Sequence, residues 1–599
     1  MEVRAREVLG PPRAGVLALF LLVVAMNANA LGGELLTWDD ALYVTENRRV
    51  QISSLSQLAR VWSPEDALAG RFVEFFPLRD TLYALLYYGF GLATWPYHLL
   101  QIGLHGLACV GVAHLLARWI GPAGGLVGAL LFAVHPVHVE SVAWIAALKD
   151  PLSTLFVLGS LLAWGRWRDR GSALAWLAAL ACMAGALLVK SFGVLVPAML
   201  VLTDWAFERR RLDARAVLDK VPFVALAVVA LAGFLRVGAA NAVMDLPPPG
   251  GTAWTGFLTM TSVYATYLGK LFVPHPLSAR YVVHPILTAT DPRFVVATVA
   301  IGLVWGASVA ALRHTRVPLF ANAWVLACLL LVLRIVQIPI EMADRYLYLP
   351  SIGFCAFAGW AAVGAWSAWP GRRPALAAAG IAVACAFVAV SVSRNLVWRT
   401  DETLWMDVAE KSPEFTTAWS SLGSYYVRHG RTAEADAALR RALDLDPDNV
   451  TALVNLGALR RSEGRLDEAL AIFRRVTELE PTRAKGWNNV GSVLIEMNRP
   501  VDAEVALERA LALDPSYPSA LRNLGMARAQ RGDRAGATEA FTRGVRAAPH
   551  DRALMEALLA WLAFCGETAA ARAWTDHVRA WFPGDRELEQ VLARASGEQ

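Results

Sequence analysis

Apolar residues arrive in long unbroken blocks over the first two-thirds of this chain and at helical spacing over the last third. A helix needs about 20 apolar residues to cross the hydrocarbon layer. Blocks near that length fall at residues 14–31, 97–117, 121–138, 150–166, 173–190, 191–207, 221–240, 294–312, 318–336, 346–366 and 375–393. Basic residues punctuate the connections at the N-terminus, Arg118, Arg166 to Arg170, Arg209 to Arg211, Arg313 to Arg316 and Arg372-Arg373. Excess Lys and Arg marks cytoplasmic loops, and about eleven crossings put every one of these on that side. Trp254 to Val273 is the odd apolar stretch: as a full span it would misplace a basic loop, so an interfacial or re-entrant helix is expected within an external loop, Asn241 to Arg293. An N-terminus inside and an odd number of spans leave the C-terminal third outside the cytoplasm. The loop Gly32–Asp80, the turn His135–Glu140, the Lys190 connection and the turn Gln337–Arg345 share that face.

The last third obeys a different period. Pro413, Pro447, Pro481, Pro515, Pro549 and Pro583 stand 34 residues apart, and Gly423, Gly457, Gly491 and Gly525 keep the same spacing, as do Ala435, Ala469, Ala503, Ala537 and Ala571. That is the period of tetratricopeptide repeats, helix-turn-helix units that stack into a solenoid. The expected organisation is all-α: a membrane bundle over 1–394, a connecting helix over 395–415, about five repeats over 416–585 and a tail over 586–599. Trp419, Gly423, Tyr426, Ala435, Leu439 and Ala442 read as packing positions of the first unit. Leu559, at the glycine position of the fifth, reads as a cap. Asn395 to Trp398 and Leu404-Trp405 read as the coupling between the last span and the first repeat.

Composition agrees with a polytopic protein: 56% of the 599 residues are hydrophobic, and the mean hydropathy is +0.41. The net charge of +5 resides in short loops with no basic-aromatic platform, which excludes a nucleic-acid binder. The six cysteines are scattered without a CxxC pair, so no zinc site or disulfide framework is indicated. Arg4, Arg6 and Arg13 precede an apolar run ending in Ala28-Asn29-Ala30, which resembles a signal-peptidase site. Cleaved or not, the following segment emerges on the non-cytoplasmic side.

The candidate chemistry lies on that outer face. Asp39 and Asp40 follow the first span; an acidic pair there serves either as a helix N-cap or as a general base for an acceptor hydroxyl. His135, His138 and Glu140 suit either hydrogen-bonded polar packing or a divalent cation, although His-x-x-His in a Pro-containing turn is not a helical zinc motif. Lys149-Asp150 opens the next span. Lys190, between two apolar spans, is either a functional cation or a side chain snorkelling to the interface. Arg345 offers a fork of donors to a phosphate, or pairs with Glu341 or Asp344 to close a helix end. Arg79-Asp80 precedes a Tyr-rich amphipathic stretch, Tyr83 to Tyr88, expected along the membrane surface.

Taken in order, Trp38-Asp39-Asp40, Phe76-Pro77-Leu78-Arg79-Asp80, His135-Pro136-Val137-His138-Val139-Glu140-Ser141, Lys190-Ser191-Phe192-Gly193, Pro276 to Tyr281, and Asp344-Arg345-Tyr346-Leu347-Tyr348-Leu349-Pro350-Ser351, ahead of the repeats, resemble the transmembrane-and-TPR O-mannosyltransferases and their bacterial relatives. The resemblance implies a C-type (GT-C) glycosyltransferase that moves a sugar from a polyprenyl-phosphate carrier to a hydroxyl on the non-cytoplasmic side. It implies Asp39 or Asp40 as base, with Asp39 favoured, and Arg345 on the departing phosphate with Lys190 as a second cation. His135, His138 and Glu140 would line the donor site, with or without a divalent metal, and Arg79 and Glu341 would contact substrate. Two departures stand out: Phe76-Pro77-Leu78-Arg79 replaces the Arg-Pro-Leu of some relatives, and Arg280 occupies a position where some carry an acid.

The implied partners are the bilayer, the lipid-linked sugar, and an acceptor protein or envelope component in the groove of the repeats. The expected location is a bacterial inner membrane with the repeats periplasmic. Two other readings stay open on sequence: a non-catalytic scaffold for envelope assembly, and a ligase or polymerase for lipid-linked glycans. The gathering of Asp39, Asp40, His138, Lys190 and Arg345 on one face speaks against a mere anchor.

Overall fold

The computed structural model describes residues 10–63, 74–208, 214–240, 247–333, 340–582 and 584–597. Arg4, Arg6, Arg209 to Arg211, Asn241, Gln337 and Pro583, which entered the reading above, lie outside these residues. The described residues form helices and turns, with no strand. Two compact units divide the chain, one ending at Ser412 and one beginning at Pro413.

The first unit contains α1 (Arg13–Asn27), α2 (Pro77–Phe90), α3 (Trp95–Ile120), α4 (Pro122–Val134), α5 (Val139–Ala143), α6 (Lys149–Arg170), α7 (Ala173–Leu187), α8 (Val196–Ala206), α9 (Ala214–Leu218), α10 (Val221–Ala240), α11 (Ala253–Phe272), α12 (Pro292–Ala310), α13 (Val317–Leu330), α14 (Ser351–Ala368), α15 (Arg373–Val397) and α16 (Asp401–Lys411). Seven helices among the described residues have the length and hydropathy of a membrane span, or eight if the pair bent by 55° at His135 is one span; three shorter apolar helices, Ala173–Leu187, Ser191–Ala206 and Val317–Leu330, accompany them. These elements occupy the eleven blocks marked in the sequence. The Trp254 to Val273 stretch is α11 and is not among them. The unit is an integral-membrane body.

Small residues let its central helices touch. A Cβ added to Gly125 would stand 2.4 Å from the backbone nitrogen of Ala117 on α3, and one added to Gly128 would stand 2.6 Å from the carbonyl oxygen of Cys355 on α14. Such contacts replace the hydrophobic drive that lipid removes. The long α15 exposes Ile381, Val383 and Val390, as expected of a helix facing acyl chains. On α2, by contrast, Tyr83 is fully buried and donates to the carbonyl of Ile145 at 2.8 Å, so the Tyr-rich stretch is anchored into the body rather than lying wholly along its surface.

The second unit pairs α17 (Thr416–Arg428) with α18 (Thr432–Leu445), α19 (Val450–Ser462) with α20 (Leu466–Leu479), α21 (Ala484–Glu496) with α22 (Pro500–Leu513) and α23 (Pro518–Gln530) with α24 (Arg534–Ala547). It ends with α25 (Arg552–Cys565), the short α26 (Thr568–Arg572) and α27 (Thr575–Trp581), and α28 (Arg586–Ser596). Within each complete pair the recurrent glycine faces a large side chain 16 positions on. A Cβ at Gly423, Gly457, Gly491 or Gly525 would meet Leu439, Phe473, Leu507 or Phe541 at 2.4, 2.7, 2.6 or 2.7 Å. In the fifth unit the order reverses: Leu559 is fully buried at the glycine register, and the residue 16 on is Thr575. Residues 586–596, expected as part of a tail, form α28 instead, because Leu588, Leu592 and Ala595 recur at helical spacing and bury against Leu558 and Leu562. Gly491→Val forces a branched side chain onto Leu507; the overpacking should cost about 1–3 kcal/mol in the melting of the purified chain. Adding Leu507→Ala should recover part of that loss.

Candidate functional site

Residues 41–45 following the acidic pair form a single π-helical turn, an irregularity common at functional sites. Asp40 occupies the N-cap position of that turn without capping it. Its carboxylate is fully buried and accepts the N–H of Leu36 and the N–H of Ala146, each at 2.8 Å. Asp40 therefore ties its own loop to the segment between α5 and α6. Asp39 differs in kind. Its carboxylate is half-buried and takes part in no hydrogen bond or ion pair among the described residues.

The charges that act on Asp39 are those of Lys149, Arg345, Glu74 and Arg79. Glu74 accepts from the Arg79 guanidinium at 2.8 Å, from the Tyr43 hydroxyl at 3.0 Å and from the Lys149 ammonium at 3.2 Å. Arg79 is buried, donates also to Asp80 at 2.7 Å, and lies over the Tyr43 ring at 4.4 Å. Arg345 pairs with Glu140 through its guanidinium and adds its backbone N–H at 2.9 Å to the same carboxylate. Its guanidinium carbon stands 5.3 Å from the Trp144 ring and 5.0 Å from the Tyr346 ring. Lys190 pairs with Asp150 and lies 4.4 Å from the Phe192 ring. The partner of Arg345 is thus Glu140, not Glu341 or Asp344. Lys190, at 9% exposure, is paired inside the body rather than snorkelling.

The two carboxylates of the pair titrate differently. Burial pushes the Asp39 carboxyl above its ordinary value, while the nearby charges of Lys149 and Arg345 pull it back down. Burial pushes Asp40 up to about 7, against the two N–H bonds that favour its charged form. A folded state that holds a proton the unfolded chain releases gains stability from it; that contribution is complete below the ordinary carboxylate range and is lost as pH rises through about 7. The melting temperature of the wild-type body should fall between about pH 5 and about pH 8 for this reason, and should fall less in Asp40→Asn.

The remaining expected site residues make contacts of other kinds. His135 shares a hydrogen bond with the carbonyl of Leu271 at 3.0 Å; His138 bonds the carbonyl of Phe132 at 2.7 Å and the Ser351 hydroxyl at 2.9 Å. Both imidazoles serve polar packing where the α4 helix breaks, while Glu140 turns toward Arg345. Among the described residues no three His, Cys, Asp or Glu side chains converge as metal ligands. Glu341 lies 3.8 Å from Arg280, so the base at the position where some relatives carry an acid is matched by an acid here.

A family model described as dolichyl-phosphate-mannose-protein mannosyltransferase matches residues 77–238, which carry Arg79, Glu140, Lys149, Asp150 and Lys190. Two tetratricopeptide models match 421–484 and 494–562. The protein O-mannosyl-transferase tmtc2 of Xenopus laevis is 25% identical over 63% of this chain and 55% of its own length. Tmtc1 of Drosophila melanogaster is 25% identical over 74% of this chain and 62% of its own. The chain is homologous to these protein O-mannosyl-transferases. It spans somewhat over half the length of each. A shorter match, 36% identity over 14% of this chain, joins it to 9% of human TMTC1.

Against that background the geometry adds two groups that the sequence reading left without a role. Glu74 and Lys149 form the bridge on which Tyr43 and Arg79 converge. Lys149 carried the same signal as Lys190, a cation at the end of an apolar span. Glu74 carried only its place one residue before Phe75-Phe76-Pro77, too little to single it out.

Proposed function

We propose that this chain is an integral-membrane glycosyltransferase that moves a hexose, mannose by family resemblance, from a polyprenyl-phosphate carrier to a protein Ser or Thr hydroxyl outside the cytoplasm. The observation that carries the reading is the unpartnered Asp39 carboxylate set among Lys149, Arg345 and Arg79. Asp39 takes the acceptor proton as the acceptor oxygen bonds to the anomeric carbon and the bond from that carbon to the phosphate oxygen breaks. The electron pair leaves on the phosphate, whose charge Arg345 and Lys190 balance. Glu140 engages part of the Arg345 fork, leaving other donors for an anion, and the Lys190 ammonium keeps two donors beyond its bond to Asp150. Preorganised cations in a site of low dielectric act most strongly on charge that develops during the reaction.

The repeats supply the acceptor side: the concave face of such a solenoid takes extended peptide. Mass spectrometry of envelope and surface glycoproteins, in a strain lacking the chain and complemented with wild type or Asp39→Asn at equal abundance, tests the reading. A glycoform restored by wild type alone supports it and names the acceptors. Equal restoration by both makes the membrane body a scaffold, and a change confined to glycans points to a ligase.

A further inference from the structure

The loop that carries Asp39 is held by a part of the chain more than 350 residues away. The N–H of Glu34 donates to the carbonyl of Arg399 at 2.8 Å, and the N–H of Thr37 donates to the Asp401 carboxylate at 2.8 Å. Trp38, immediately before Asp39, stacks on Trp405 with ring centroids 5.1 Å apart and on Trp398 at 6.5 Å. Trp144 closes the cluster, 5.6 Å from Trp38 and 5.4 Å from Trp398, and is the same indole that lies beside Arg345. Trp144, Trp398 and Trp405 are buried, and among the described residues the indole N–H groups of Trp144 and Trp405 have no hydrogen-bond partner, so their faces and not their polar edges do the holding. Asp401 stands at the first position of α16, fixed by a capping box between Thr400 and Thr403. Every contact lies within the first unit.

We propose that residues 398–405 form a positioning clamp for Asp39, with Asp401 and Trp405 as its principal positioning residues. The clamp grips the loop on one side, through the backbone at 34 and 37 and the ring at 38; Asp40 grips it on the other, through Ala146. The carboxylate between them is left without a bond of its own, so its place depends on its neighbours in the chain. Its misplacement by about 1 Å is enough to slow a proton transfer on the order of a hundredfold. The inference rests on the reading of Asp39 as base, and its test separates the two.

A water-soluble maleimide is applied to the full-length chain carrying Asp39→Cys, and the label at position 39 is read by peptide mass, because all six native cysteines are free thiols. Adding Asp401→Ala or Trp405→Ala should change the labelling rate at least about fivefold, since the loop loses a fixed anchor. Asp401→Asn, which keeps an oxygen for the Thr37 N–H, should stay within about twofold of the parent. Trp405→Phe, which keeps an aromatic face, covers the case in which the alanine variant does not accumulate and should lie between the two. In the chain with Asp39 intact, Asp401→Ala should lower kcat about ten- to a hundredfold with the KM for the lipid-linked donor little changed, and should add nothing to Asp39→Asn. Unchanged labelling in both alanine variants, or full additivity with Asp39→Asn, overturns the clamp. Altered labelling in the Asp39→Cys background, together with a wild-type chain that transfers no sugar, keeps the clamp and removes the enzyme.

Discussion

Asp39→Asn should cut sugar transfer by about 10²- to 10⁴-fold, the range that general-base catalysis contributes, with membrane abundance unchanged and the melting temperature not lowered. The second half of that statement follows from the site: the Asp39 carboxylate holds nothing, so an isosteric amide leaves no donor orphaned. Asp40→Asn sets the contrast. An amide there can accept only one of the two N–H groups that Asp40 now satisfies, and it turns an NH₂ toward the other, so stability falls together with activity. The rate profile adds a further check. A base that burial has raised gives an acid limb above the ordinary carboxylate value of 3.8. Lys149→Met removes a cation that lowers this group, so it should move the limb to higher pH. Transfer assays in washed membranes with a synthetic lipid-linked donor measure all three; an Asp39→Asn variant that retains half of the wild-type rate assigns the base elsewhere.

Arg345→Lys is the second large effect. Lysine keeps the charge that Glu140 needs, and the backbone N–H at 345 still reaches the same carboxylate, so the fold survives. What disappears is the planar fork, which has donors to offer an anion while engaged to Glu140, and the contact of the guanidinium with the Trp144 and Tyr346 rings. The expected loss is about 10²- to 10³-fold in kcat, comparable to removing a donor from a preorganised anion site. Arg345→Met should lower stability as well, because Glu140, at 2% exposure, would lose the side-chain cation that pairs with it in the interior. A lysine variant with wild-type kcat and a raised KM would place Arg345 in ground-state binding rather than at the departing phosphate.

Much of this architecture is legible in the sequence because it rests on periodicities. Apolar blocks report spans, and a 34-residue register reports the repeats, since the glycine of each unit must face the large residue 16 positions on. The buried cations were legible for a related reason: Lys190 and Arg345 interrupt apolar sequence, and burying a charge is costly enough to demand an explanation. Their partners were not legible. Glu140 lies 205 residues from Arg345 and Asp150 lies 40 from Lys190, and no local pattern encodes such pairings. The acidic pair shows the same limit. Asp39 and Asp40 are one residue apart and identical in type, and only the fold gives one a structural task and leaves the other free. By their place along the chain Trp398 and Trp405 read as the coupling to the repeats; their stacking on Trp38 is a tertiary fact.

The glycine register of the solenoid has a consequence for modularity. Because each of the four complete units satisfies its own small-against-large contact internally, excising one whole period from within the array restores the same apposition on both sides of the cut. For this contact its middle units are interchangeable parts, while pairs such as Arg460 with Asp436 and Asn523 with Asn488 bind particular neighbours to each other. The fifth unit is not such a part. With Leu559 and Thr575 exchanged in size and α28 packed against Leu558 and Leu562, it replaces the glycine contact with an apolar cluster of its own.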